Sequence, residues 1–407
     1  MSAERSDLVV VGAGTVGAWA AVFAAEAGLR RVVVLERGMA GDGASSRASG
    51  IVRAQGGTPG AVALGRWSIE FYRSQAARYG TDSGFRELGY LLLAVTEVDE
   101  RVGRERVAMQ RALGLDVRWL GPEEAVEITG TLARAGHRGG SYLATDGAIS
   151  PPRNVRAYSL AMQAAGVELR ERTAFTSLQL DEAGGGRVVG VQTSAGPIAA
   201  ERVLLTGGPG LAAVGRLAGV RIPAGGARHT VAVTAPHPAF DVDRAAMVFD
   251  VGAGMYWRLE EGGLLFGWSD PDEAPGEAIE VDDAALARTR ARLAALVPVT
   301  AGLGLRRTWA ATIDYTPDHQ PILGPGLTAD GVPIAGLTVA SAGGHGMMWG
   351  PAVARCGADL ALVGRTDVVD VSSWGLDRFD AEGRSRLAPD PIALPFPPAA
   401  PEEGAPA

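Results

Sequence analysis

Residues 8–17 read LVVVGAGTVG: four apolar residues run into glycines spaced G-x-G-x-x-G at Gly12, Gly14 and Gly17. An alanine-rich stretch with helical composition follows over 15–28, and then RVVVLE over 31–36. Unbroken Val and Leu runs, rather than alternation, belong to strands buried on both faces of a parallel sheet. Strand, glycine turn, helix and strand in that order form a βαβ unit, which restricts the chain to an α/β sheet covered by helices. Gly12 allows the tight turn, Gly14 lets backbone approach a pyrophosphate, and Gly17 lets the helix pack close to the strand. The helix start at Thr15 and Val16 offers free N–H groups and the positive end of a dipole. Glu36 closes the second strand 19 residues after Gly17, where an acid accepts hydrogen bonds from a ribose diol. The order of these parts predicts a dinucleotide site.

With 407 residues the chain is long enough for two domains. Helices are predicted over 62–80, 98–113, 155–166 and 283–296, and a hairpin over LQLDEAGGGRVVGVQTS. From 229 to 268 the chain is rich in strand-forming runs such as HTVAVTA, MYWRLE and GLLFGW. Beyond 305 it returns to glycine-rich α/β character, with SAGGHGM (341–347) opening a helix. The predicted class is α/β in the α+β two-domain sense: a Rossmann-type dinucleotide-binding domain with an inserted antiparallel-sheet substrate domain. The nucleotide domain is discontinuous, over 5–85, 146–220 and 305–367; the substrate domain takes 86–145 and 221–304. The last twenty residues hold seven prolines, so 386–407 is expected to be an unpacked tail.

A net charge of −8 disfavours nucleic acid and anionic membranes as partners. One cysteine, Cys356, excludes an intrachain disulfide framework and a cysteine zinc cage. No signal peptide or membrane-length apolar run is recognisable, so the expected compartment is cytoplasmic. All 38 basic residues are arginine, which leaves no lysine for Schiff-base chemistry. No metal-ligand or Ser/His/Asp constellation is visible.

Beyond Glu36 the pattern extends through GASSRASGIVR (43–53) and ERVLLTGG (201–208), which suits a cofactor longer than one βαβ unit holds. With ERG, YLATDGAISPPRNVRAY, MYWRLE, WAATIDYTPDHQPILGP (309–325) and SAGGHGMMWGPAVA (341–354), the sequence resembles the FAD-dependent amine oxidoreductases of the D-amino-acid oxidase superfamily. The resemblance is to the branch of glycine and sarcosine oxidase, the sarcosine oxidase beta subunit and sarcosine or dimethylglycine dehydrogenase, and it covers about 7–365. It implies FAD contacts at Gly12, Gly14, Thr15, Val16, Gly17, Glu36, Arg37, Ser45, Ser46, Arg47, Ser49, Gly50, Phe175, Gly207, Gly208, Gly343, Gly344, Gly346 and Met347.

In such enzymes the flavin accepts a hydride, and the protein must position the substrate and tune the charge around the ring. The resemblance places Arg53 on a carboxylate-gripping arginine, a task suited to a bidentate, permanently charged guanidinium. His345 stands in the family's Gly-His-Gly. Tyr256 and Arg258 share one face of the MYWRL strand and are expected at the amine. Asp318 is expected to cap backbone in a turn beside the cofactor. Relatives that tether flavin do so from a cysteine at the position of Ala311 or a histidine at that of Arg47, so FAD is expected to be noncovalent. A relative's oxygen-activating lysine falls at Leu265 and its active-site histidine at Ser269, so the acceptor is either O2 or another carrier. Glycine oxidase's carboxylate arginine falls at Ile313, which leaves Arg53 alone or with Arg258. The folate domain of the dehydrogenases is not expected here.

The expected function is oxidation of the C–N bond of a secondary or N-methyl amino acid to an imine, which water hydrolyses. The alternatives are oxidation of glycine or a primary D-amino acid, or a flavin-binding subunit of a heteromeric amino-acid dehydrogenase. The expected partners are an amino-acid substrate and an electron acceptor, with a homo- or hetero-oligomer open.

Overall fold

A computed structural model describes residues 5–181, 186–241, 246–270 and 272–392. Its central sheet has six strands in the order Glu168–Arg170, Val32–Leu35, Leu8–Val11, Val203–Leu205, Pro333–Ser341, Ile322–Leu327. The first five are parallel and the last is antiparallel. Both strands of the βαβ unit are buried at every residue, as their unbroken apolar runs require. Alternation assigns the two faces. Leu8, Val10, Val32 and Val34 pack in one core with the helices Thr15–Glu26, Pro151–Ala164 and Gly350–Val363. Val9, Val11, Val33 and Leu35 pack in a second core against a small sheet formed by Phe175–Asp181, Arg187–Thr193, Gly196–Ala200 and Arg5–Ser6. The predicted hairpin is the pair Phe175–Asp181 and Arg187–Thr193; residues 182–185 of its connection lie outside the described residues.

The second large sheet has eight strands, ordered Leu305–Tyr315, Gly225–Thr234, Gly263–Trp268, Met255–Glu260, Met247–Asp250, Tyr90–Leu93, Gly140–Leu143, Arg118–Leu120. Every neighbouring pair is antiparallel except Met247–Asp250 with Tyr90–Leu93. Its outer face, including Met255, Trp257 and Leu259, packs under the helix Asp283–Leu296. Its inner face, including Tyr90, Phe249 and Tyr256, packs toward the first core.

Two expected boundaries differ from the structure. Leu305–Tyr315 pairs along Gly225–Thr234, so the return to the nucleotide sheet comes after Tyr315 and not at 305. The start of the expected tail is packed: Ile392 is 1% and Asp390 3% exposed. Proline content lowers the prior for packing, but specific hydrogen bonds decide it here. Asp390 N donates to the Asp318 carbonyl and Arg386 N to that of Arg378. Residues 393–407 lie outside the described residues. No helix among the described residues is long and apolar enough to cross a membrane.

Candidate active site

The two sheets face each other across a cleft of about 550 Å³, within the usual range for cofactor and substrate sites. At its nucleotide end Gly12 takes φ +106°, and a Cβ there would lie 3.0 Å from the Thr206 carbonyl oxygen. At Gly17 a Cβ would lie 2.0 Å from the Gly12 carbonyl oxygen, so the helix could not sit this close to the strand. Gly17 is thus a packing residue and does not line the cleft. The helix cap, Gly14, brings no side-chain cap; Thr15 N bonds to Ser45 Oγ at 2.9 Å. Glu36 is fixed by accepting from Ala13 N at 3.0 Å and Gly38 N at 2.8 Å.

Gly12, Gly14, Thr15, Val16, Glu36, Arg37, Ser45, Arg47, Ser49, Gly50, Gly207, Gly208, Gly344, Gly346 and Met347 all line this one cleft. So do Arg53, Tyr256 and His345. Four expected contacts besides Gly17 stand elsewhere. Phe175 packs in the core behind the sheet. Ser46 lies off the cleft lining. Gly343 turns its back to the cleft, where a Cβ would lie 2.7 Å from the Gln320 carbonyl oxygen.

Arg258 is the fourth, and it corrects a catalytic expectation. Its Nε donates to the Ser49 carbonyl at 2.8 Å, and its Nη1 donates to the Leu259 carbonyl at 3.1 Å and to Glu260 at 2.5 Å. Alternation places it on the inner face as predicted, but the long side chain reaches past the cleft and ties the large sheet to the 45–50 loop.

Arg53 is 3% exposed. It donates to the Gln55 carbonyl, and no carboxylate among the described residues lies within ion-pairing distance of it. The chain just after it is anchored by Asp146, fully buried, which accepts from Ala54 N at 2.7 Å and Gln55 Nε2 at 3.1 Å. Burial pushes the Asp146 carboxyl up to about 7, against the pull of those hydrogen bonds and of Arg53.

The strand Pro333–Ser341 ends in the turn Gly343–Gly344, at φ +56° and +93°. Those left-handed angles delay the expected helix, which begins at Gly350 after a turn closed by Trp349 N donating to the His345 carbonyl at 2.8 Å. The His345 ring stacks on Trp349 at 3.9 Å. Burial, then the positive charge of Arg53, pushes the imidazole down to about 3. His345 is therefore neutral at physiological pH.

Three lining residues escaped sequence reasoning. Asp314 sits half-buried on the cleft, accepting from Ser341 Oγ at 3.1 Å, and burial raises its carboxyl. Only its place in the alternation of Leu305–Tyr315 could have signalled it. His229, opposite Ala311 in the sheet register, lines the cleft at 2% exposure. Ile392 comes from the segment read as tail.

Burial pushes His229 down to about 4 from 6.5. A histidine held neutral stabilises the fold above its unfolded pKa, and that stability is lost as pH falls from about 6.5 toward 4. The stability gap between wild type and His229→Gln should therefore be larger at pH 7 than at pH 4.5, by on the order of 2 kcal/mol. Urea unfolding at the two pH values measures it, and an equal gap at both would show that the ring titrates in the native state as it does unfolded.

FAD fits this cleft on steric grounds. A Cβ at Gly43, Gly208 or Gly346 would meet no atom within 4 Å, so backbone is laid bare to a ligand along the wall. Among the described residues no group of three or more His, Cys, Asp or Glu could hold a metal ion.

The profile of a family described as DAO, FAD dependent oxidoreductase, matches residues 7–360. The sequence is 28% identical over 391 residues to 4-methylaminobutanoate oxidase (formaldehyde-forming) of Paenarthrobacter nicotinovorans, covering 93% of this chain and 46% of that protein. It is 26% identical over 387 residues to sarcosine oxidase subunit beta of Rhodobacter capsulatus, covering 92% and 89%. The fold matches L-proline dehydrogenase from P. horikoshii with a TM-score of 0.82 at 25% identity, over 92% of this chain and 97% of that one. The chain spans about half the length of the first of these relatives.

Proposed function

The chain belongs to the DAO family of FAD-dependent oxidoreductases, and from that premise we propose that it oxidises the C–N bond of a secondary or N-methyl amino acid. The observation that carries this reading is Arg53: a buried guanidinium on the cleft with no carboxylate within pairing distance among the described residues. Asp146 and Asp390 act on it through space, but no ion pair among the described residues engages its fork. A substrate carboxylate would supply that bidentate partner.

Bound FAD supplies the acceptor for the hydride that leaves the carbon beside nitrogen. The amine nitrogen loses a proton, and the imine takes up water and separates into an amine and a carbonyl compound. The chain's residues orient the substrate. Arg53 fixes the carboxylate, which limits where the nitrogen and its carbons can lie. Tyr256, 6% exposed on the cleft, keeps its proton because burial raises its phenol above the ordinary value. Its ring gives the pocket an aromatic wall with a hydroxyl donor. Neutral His345 adds shape without charge. Glu36 and the open backbone at Gly43, Gly208 and Gly346 serve the ribose and pyrophosphate.

Anaerobic mixing of the yellow protein with a panel of N-methyl, cyclic and primary amino acids tests the reading. Bleaching by secondary amino acids without any partner protein supports it. Bleaching by glycine or primary D-amino acids alone transfers the function to those substrates. No bleaching until a second protein is added identifies the chain as a subunit.

FAD should be held noncovalently. Ala311 is a buried strand residue, the Arg47 carbonyl accepts from Trp309 Nε1 at 2.8 Å, and Cys356 is buried in the helix Gly350–Val363. Acid precipitation should leave all the yellow colour in the supernatant; a yellow pellet contradicts this.

A further inference from the structure

The family match ends at residue 360, yet the chain folds back into the site after it. Asp390 N donates to the Asp318 carbonyl at 3.1 Å, Leu387 N bonds to Ser385 Oγ at 3.0 Å, and Ile392 N donates to Asp390 Oδ1 at 2.8 Å. The segment is pressed onto the chain just after Arg53: a Cβ at Gly57 would lie 2.1 Å from Asp390 Oδ1 and 2.8 Å from Pro391 Cδ. This contact puts Ile392 at the Arg53 end of the cleft, away from the nucleotide end. Ile392 is 1% exposed and lines the same cavity as Arg53, Tyr90, Phe249 and Tyr256. Charge agrees with the placement. Asp390 is raised chiefly by burial, and Arg53 and Arg106 both pull it back, so its carboxylate stands near the two guanidinium groups.

We infer that Leu387–Ile392 forms a wall of the substrate pocket and that Ile392 limits the size of the aliphatic group accepted beside the carboxylate on Arg53. The inference rests on the reading of Arg53 as the carboxylate site. An apolar wall discriminates by methylenes, each worth about tenfold or more when it must be excluded. The segment lies outside the profile match over 7–360.

The test uses the FAD-loaded full chain and a series of inert unbranched carboxylates from acetate to pentanoate, with dissociation constants read from the perturbed flavin absorbance. Ile392→Ala should raise the preference for pentanoate over acetate by about tenfold. Ile392→Val should shift it in the same direction by less, and it guards against a folding defect in the alanine variant. Ile392→Phe should lose pentanoate first while acetate still binds. A chain-length preference unchanged within about twofold in all three, with binding still abolished by Arg53→Ala, overturns the wall and leaves the carboxylate site standing. Equal binding by wild type and Arg53→Ala overturns both.

Discussion

Arg53→Ala should weaken the binding of carboxylate substrates by roughly 30- to 1000-fold while the protein keeps its flavin. The size follows from what is lost. A charge-assisted hydrogen bond inside a protein contributes about 1.5–3 kcal/mol, and a guanidinium can make two in parallel to one carboxylate. A total of about 2–4 kcal/mol corresponds to that range at about 1.4 kcal/mol per tenfold. The effect should be this large because neither of the other two candidate positions offers a second grip. Arg258 is committed to Ser49, Leu259 and Glu260, and Ile313 stands on the cleft wall where glycine oxidase has an arginine. Flavin should remain because its expected contacts, from Gly12 to Met347, do not depend on Arg53. Arg53→Lys should recover only part of the affinity, since an ammonium cannot match the fork. The measurement is flavin difference absorbance titrated with an unreactive carboxylate and KM for a reactive one. A change below about threefold in both would place the substrate carboxylate elsewhere.

Most residues expected around the nucleotide line one cleft, and there is a physical reason that their positions are legible in the sequence. Gly12, Gly17 and Glu36 satisfy local requirements of a turn, a close helix and a strand end, and such requirements leave fixed spacings. The substrate half is built by side chains from distant segments, and no spacing links them. Tyr256 and Arg258 lie two apart on one strand and share its inner face as period two dictates. Yet one lines the cleft and the other reaches the Ser49 carbonyl, a difference of side-chain length and partner. The strand Leu305–Tyr315 was misplaced because its sequence runs on into TPDHQP, a motif of the nucleotide half. Chain continuity is no guide to sheet membership when one strand ends and the chain crosses to the other sheet. The segment 386–392 was misread for another reason: composition averages over residues, whereas Asp390 is held by single bonds to Asp318 and Ile392.

Those bonds converge on one buried ion pair, and Arg378→Ala should destabilise the fold by about 3–5 kcal/mol. Arg378 and Asp318 have side chains 3% and 1% exposed. They meet in two hydrogen bonds, Nε to Oδ2 at 2.7 Å and Nη2 to Oδ1 at 3.0 Å. Arg378 also donates to the Trp374 carbonyl at 2.7 Å. Burial alone would raise the Asp318 carboxyl; the hydrogen bonds and charge of Arg378, joined by Ser385 and Gln320, outweigh it and hold the group below its usual range. A depressed carboxyl stabilises the fold above its unfolded pKa, and that contribution is lost as pH falls through the folded value. In the variant burial alone raises the Asp318 carboxyl, so the cost of Arg378→Ala should be largest at neutral pH or above and shrink as pH falls through that raised value toward the depressed wild-type one. The pair also reaches the cleft: the Gln320 carbonyl accepts from Arg378 Nη2 at 3.3 Å, and Gly343 packs against that carbonyl, so the variant should hold FAD more weakly as well. Removing both charges with Asp318→Asn and Arg378→Met should recover most of the stability, because the large penalty comes from leaving Asp318 buried alone. Urea unfolding of the two variants and wild type at pH 7 decides the matter: a loss below about 1 kcal/mol for Arg378→Ala, or a double variant worse than the single, would mean the C-terminal segment is held by packing and not by this pair.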